Sequence, residues 1–135
     1  MLAGWLRFTD PVDRALHQAA NAPTGDPVLT EFTFDNLRRR SSLVRHGGDG
    51  CYLVVTKGAP EAVLDACTHR LGAADVLPLT AADRAEVFEV ADRLATDGGR
   101  ILAVADAIRA TLPPSAADAE AGLCLVGLVA LADPP

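Results

Sequence analysis

The chain has 135 residues, half of them hydrophobic and 22% charged, a balance that excludes disorder and fits one soluble globular domain with a real core. Its net charge of −6 argues against general nucleic-acid binding, which needs a basic surface, so any anionic ligand has to meet a local cationic patch. Cys51, Cys67 and Cys124 lie far apart without CxxC spacing, which argues against a disulfide framework or zinc centre, and the longest apolar run, Leu123 to Ala132, is too short to cross a bilayer.

In chain order, Thr9-Asp10-Pro11 provides a cap residue and a proline at the first helical position. Val12, Ala15, Leu16, Ala19 and Ala20 then fall on one face of a predicted helix. NAPTGDP (21–27) is a loop by composition. Strands are predicted over 28–34 (VLTEFTF), 40–46 (RSSLVRH) and 51–57 (CYLVVTK) from their β-branched and aromatic content, and HGGDG between the last two predicts a hairpin. After Lys57, Gly58 frees the backbone and Pro60-Glu61 begins a short helix to about Cys67. A polar loop is expected from there to Thr80. The TAAD at that point resembles a capping box, Val87, Val90, Ala91, Leu94 and Ala95 form one helical face, and Asp97-Gly98-Gly99 stops the helix. ILAVADA (101–107) and LCLVGLVALA read as strands, separated by a Pro- and Ala-rich loop (110–122) that is the best candidate for a mobile insertion. The expected fold class is α+β: a mostly antiparallel sheet flanked by helices.

Four segments have residue types suited to ligand chemistry. Lys57 is the only lysine, beside eleven arginines, and stands at a strand end before Gly58, Ala59, Pro60 and Glu61. The residues permit an exposed lysine at a strand–turn–helix junction. They equally permit a compact ammonium kept because a planar guanidinium would not fit a narrow pocket, with Gly58 letting a ligand approach the backbone. Phe34 stands ahead of Arg38, Arg39 and Arg40, which suits a core ring beside a solvated turn or an aromatic face for a base with cations near its phosphates. Arg100 follows Gly98-Gly99 at a helix-to-strand turn, and Asp13 lies in the first turn of its helix; both also suit the helix dipole alone.

In this order the segments resemble the nucleotide-binding (N) domain of P-type cation-transporting ATPases. TDPVDRAL is similar to the family's GDPTE-x-AL segment, FDNLRRRSSLV to its F-[DS]-x-x-R-[RK]-x-M-S-V segment, and KGAPE to its signature pentapeptide. GGRILAVA resembles G-[LM]-R-x-L-A-x-A, and LVGLVALADPP resembles the segment ending in the DPP hinge. The likeness runs from about Thr9 to Pro135 and implies a single nucleotide-binding domain over 1–135, excised from a larger pump, with 133–135 beginning the hinge to a phosphorylation domain. It further implies that Phe34 stacks on adenine, Asp13 accepts from the exocyclic amine, Lys57 lies in the adenosine pocket walled by Gly58 and Ala59, and Arg39 and Arg100 face the phosphates. The implied ligand is ATP, Mg-ATP in the parent pump.

The implied partners are the pump's phosphorylation and actuator domains, on the cytoplasmic side of a plasma membrane. No nucleic acid, direct membrane contact, resident metal or oligomer is expected. Ser41 replaces the family's usual methionine and Asn36 an arginine of calcium-type members; the FD-x-x-RRR-x-S pattern resembles the bacterial magnesium branch. The chain contains no DKTGT, TGES-like or GDGxND motif and no Walker A, so by itself it should bind nucleotide without catalysing its hydrolysis. A regulatory scaffold that has lost the nucleotide is the alternative; a small RNA-binding module is the weaker third reading.

Overall fold

A computed structural model describes residues 27–95 and 100–131. The expected helix after Thr9, the Gly98-Gly99 stop and the DPP hinge lie outside them, as does Asp13. The described residues form a seven-stranded sheet with helices packed on it. Its elements are β1 (Thr30–Phe32), β2 (Arg40–His46), β3 (Tyr52–Gly58), α1 (Pro60–Ala66), β4 (Cys67–Leu71), β5 (Val76–Pro78), α2 (Ala81–Ala95), β6 (Arg100–Arg109), α3 (Ala116–Ala119) and β7 (Leu123–Leu131). The spatial order is β1-β2-β3-β6-β7-β4-β5, antiparallel at every neighbour except the parallel pair β4 and β7. The α+β, mostly antiparallel expectation therefore holds.

The β2–β3 hairpin forms where HGGDG predicts it. Cys51 N–H donates to the Gly48 carbonyl at 3.1 Å, and the two central residues, Asp49 and Gly50, have φ of 58° and 76°. Positive φ at both positions is the twist-compatible solution for a two-residue hairpin turn, and Asp-Gly is a pair that adopts it readily.

Alternation along β2, β3 and β6 divides the sheet into two faces. Val44, Val54, Ala103, Ala105, Leu125 and Leu128 pack in the main core with Val63 and Leu64 of α1 and Val87 and Ala91 of α2. The opposite face carries a smaller cluster of Val55, Val104, Val126 and Val129. α2 begins as TAAD predicts: Asp83 N–H donates to Thr80 Oγ1 at 3.1 Å, and Thr80 N–H donates to Asp83 Oδ2 at 3.0 Å. That backbone donor, reinforced by Arg70 Nε at 3.1 Å, holds the Asp83 carboxyl below its ordinary range. Arg84 of α2 donates to the carbonyls of Leu64 and Cys67 and so ties α2 to the end of α1, where the Leu64 carbonyl also accepts from Cys67 N–H.

Two expectations are corrected. The polar stretch before Thr80 contains a hairpin, β4 and β5, whose apolar residues Leu71, Val76 and Leu77 are largely exposed. Without a buried face it has no clear alternation to read. The loop 110–122 is no mobile insertion in its second half. Ser115 caps α3, accepting from Asp118 N–H at 3.2 Å, and Arg109 donates to the carbonyls of Ala119 and Ala121. Ala119 and Glu120 are buried.

Candidate functional site

The register brings Phe34, Arg39, Lys57, Gly58, Ala59 and Arg100 to one end of the sheet. Arg40 at the start of β2 pairs with Gly58 at the end of β3, and Gly58 pairs with Ala103 of β6. The segment 33–39 therefore leads into β2 where β3 ends, and Arg100 stands three residues, about 10 Å of strand, beyond the Gly58 level.

Phe34 is 57% exposed, so its ring is not part of the core. Of the two readings its sequence position permits, the buried one fails. Leu37 nearby is 94% exposed. The turn beneath them is tied by Asp35: Arg39 N–H donates to the Asp35 carbonyl at 2.8 Å, and Arg38 N–H donates to Asp35 Oδ1 at 2.6 Å. The latter bond is the main cause holding the Asp35 carboxyl below its ordinary range.

Lys57 is exposed and lies on the smaller face of the sheet, its Cα opposite Ser41 on one side and Val104 on the other. Thr56, one residue earlier, points into the core and bonds Ser42 across the strands at 2.7 Å. Gly58 is buried, and the absence of its Cβ serves the chain itself. A Cβ there would meet Arg40 Cα at 2.8 Å and come closer still to the Arg39 carbonyl oxygen. That carbonyl instead accepts from Ala59 N–H at 3.2 Å, which turns the chain into Pro60 and α1.

The three consecutive arginines have different surroundings. Arg38 donates through Nε and Nη2 to Glu120 at 3.1 and 2.8 Å, and it pairs with Asp35. Arg40 donates through Nε to Glu120 at 2.9 Å and through Nη1 to the Ala62 carbonyl at 2.6 Å. Ser42 Oγ completes the set of donors on Glu120. Burial pushes the Glu120 carboxyl up, but these donors outweigh it and hold the group below its ordinary range. Arg39 is excluded from this cluster: it is exposed, with φ of 57°, and its Nη2 lies 2.7 Å from Glu61. Arg100 is exposed at the start of β6.

Sequence reasoning missed Glu120, Ser42 and Thr56. The SAAD run at 115–118, which repeats the capping pattern of TAAD, was a readable sign that the loop around Glu120 is structured.

Cysteine chemistry has no support at this site. Burial pushes the Cys67 thiol up to about 12 and the Cys124 thiol to about 11, leaving both protonated near neutrality. Among the described residues, no cluster of His, Cys, Asp or Glu is placed to hold a metal ion, and no helix is long and apolar enough to cross a membrane.

Residues 5–135 match the family profile described as P-type ATPase, cytoplasmic domain N. The chain is 33% identical over 107 residues to calcium-transporting ATPase 1 of Bacillus cereus, an alignment covering 79% of this chain and 12% of that protein. It is 29% identical over 135 residues to a calcium-transporting ATPase of Bacillus subtilis, covering 93% and 15%. To the magnesium-transporting ATPase, P-type 1, of Salmonella typhimurium it is 34% identical over 111 residues, covering 79% and 12%. The chain thus spans only 12 to 15% of the length of these relatives.

Proposed function

The chain belongs to the family of P-type ATPase cytoplasmic N domains, and from that premise we propose that it binds ATP for a cation pump, holding adenine and phosphates while an aspartate on a separate domain is phosphorylated. The observation that supports this most is the exposed Phe34 ring at the same sheet end as Lys57, Arg39 and Arg100. An aromatic ring outside the core, at the same sheet end as three exposed cations, suits a ligand that is flat at one end and anionic at the other. Phe34 stacks on the base, an interaction of about 1–3 kcal/mol. Lys57, Gly58 and Ala59 line the adenosine side, and Asp13 accepts from the exocyclic amine. Arg39 and Arg100 meet the phosphates with charge-assisted hydrogen bonds.

In this reading the domain contributes proximity. It holds the terminal phosphate where a carboxylate of the phosphorylation domain can attack in line, with magnesium supplied alongside ATP. The phosphorylation and actuator domains of the parent pump are the partners, on the cytoplasmic side of a plasma membrane. The proposed transported ion is magnesium. That assignment rests on the FDNLRRRSS pattern, because the magnesium and calcium relatives are equally similar to this chain.

Titration of the chain with ATP, followed by amide chemical shifts, tests the proposal. Binding on the order of 0.1–1 mM is expected, weak because the other domains that clamp the phosphates are absent. The shifts should centre on Phe34, Lys57 and Gly58. Ser41, directly opposite Lys57 where the family usually has methionine, favours the second reading, a scaffold that has lost the nucleotide. Unmoved resonances at those residues in millimolar ATP would establish that reading instead.

A further inference from the structure

The carboxylate of Glu120 is 1% exposed and receives four donors: Arg38 Nε, Arg38 Nη2, Arg40 Nε and Ser42 Oγ. A carboxylate offers roughly four acceptor positions, so this one is saturated. Its partners are 80 and 82 residues away for the arginines and 78 for the serine, which makes Glu120 the point where the α3–β7 segment grips the start of β2. The grip takes the first and third of three consecutive arginines and leaves out the second.

We propose that Glu120 is a positioning residue for the nucleotide site, acting through Arg39; this rests on the ATP-binding reading above. Arg39 adopts a left-handed backbone conformation, φ 57°, that is unfavourable for a residue with a side chain and persists only where its surroundings determine it. Those surroundings are identifiable. Arg38 is anchored inward by Glu120 and at the surface by Asp35, Arg40 by Glu120 and the Ala62 carbonyl, and both backbone polar groups of Arg39 are bonded, to Asp35 and Ala59. With its neighbours held inward, Arg39 has its guanidinium at the surface beside Glu61. The buried carboxylate thus selects which of three chemically identical cations is offered to a phosphate. It also removes the other two from competition for that phosphate.

The test is a double-mutant cycle on the full chain, with Glu120→Gln, Arg39→Ala and their combination, each titrated with ATP and with adenosine. Glu120→Gln should weaken ATP by about tenfold, the equivalent of one charge-assisted hydrogen bond. Adenosine, which lacks phosphates, should change by less than about twofold, and the combined variant should bind ATP within about twofold of Arg39→Ala alone. Equal weakening of ATP and adenosine, or additive losses in the cycle, would make Glu120 a structural residue and overturn the assignment.

Glu120→Gln leaves two partly buried guanidiniums underpaired, so Arg38→Gln serves as a gentler variant that keeps the Arg40–Glu120 pair. It should produce the same selective loss and the same lack of additivity with Arg39→Ala; ATP affinity unchanged in a folded Arg38→Gln variant would also overturn the assignment. A wild-type chain that binds neither ligand removes the nucleotide-site reading itself and the assignment with it. Wild-type binding combined with an additive cycle removes the assignment alone.

Discussion

Substituting Gly58 with alanine should separate β2 from β3 at the point where the candidate site is assembled. The added Cβ would stand 2.8 Å from Arg40 Cα and 3.0 Å from Arg40 Cβ, with the Arg39 carbonyl nearer still. All of these except the Arg40 Cβ are backbone atoms, which cannot rotate away, so β2 has to retreat by something on the order of 0.5–1 Å. Retreat is opposed on both sides. The Arg39 carbonyl is bonded to Ala59 N–H, and Arg40 is held by Glu120 and the Ala62 carbonyl. Overpacking against a frame that cannot relax costs about 1–3 kcal/mol. For a domain of this size that corresponds to a melting temperature lower by roughly 3–12 °C. Because Arg39 and Ser41 move relative to Lys57, ATP affinity should fall by about tenfold as well. Thermal melts by circular dichroism and ATP titration of the same sample measure both effects. Gly48→Ala is the control, since nothing lies within 4 Å of the Cβ it would add. A Gly58→Ala chain with wild-type melting and wild-type ATP affinity would refute the argument that the missing side chain is what lets the two strands close.

Three further outcomes are expected. Phe34→Ala should weaken ATP by about tenfold or more, while its melting temperature stays close to wild type because the ring is 57% exposed; a large drop in melting with intact affinity would return the ring to a packing role. An amine-reactive aromatic reagent should label Lys57 and be blocked by saturating ATP but poorly by inorganic phosphate, and Lys57→Arg should lose labelling and weaken ATP because the guanidinium fork is wider. Equal labelling rates with and without ATP, read by peptide mapping, would place Lys57 outside the pocket. Burial alone pushes the Asp106 carboxyl above its ordinary value of 3.8. Between that value and the raised one, the unfolded chain has lost a proton that the folded chain keeps, so stability falls as pH rises through this window and stays lower above it. Asp106→Asn should therefore melt higher than wild type at neutral pH, with the gain vanishing below about pH 3.8; a variant less stable at pH 7 would contradict this.

The elements legible in the sequence are those whose signal is local. RSSLVRH forms β2 over the predicted span because alternation and the following Asp-Gly turn both lie within a few residues, and TAAD places the start of α2 because a capping box needs four consecutive positions. The hairpin of β4 and β5 was illegible because its pairing with β7, across some 55 residues, rescues a segment without an alternating buried face. At the site, the strand ends bearing Lys57 and Gly58 could be read from turn chemistry. The sorting of the three arginines could not, since it depends on Glu120 about 80 residues further on, in a stretch whose composition suggests a loop. Arg38 and Arg40 have the same chemistry as Arg39, and only a long-range partner distinguishes them.

The ion pair between Arg39 and Glu61 makes capture of an anion an exchange reaction. Both side chains are about half exposed, so the pair itself contributes about 0–1 kcal/mol to stability. A phosphate that takes Arg39 must first displace a carboxylate of the same chain, and the affinity it gains there is the difference between two contacts. Added salt weakens the contact being broken as well as the one being made. Arg39 should therefore make ATP binding less sensitive to ionic strength than an unpaired surface cation would. The Glu of KGAPE acts in this sense as a tethered counterion, keeping the cation neutralised and in place until a more highly charged group arrives.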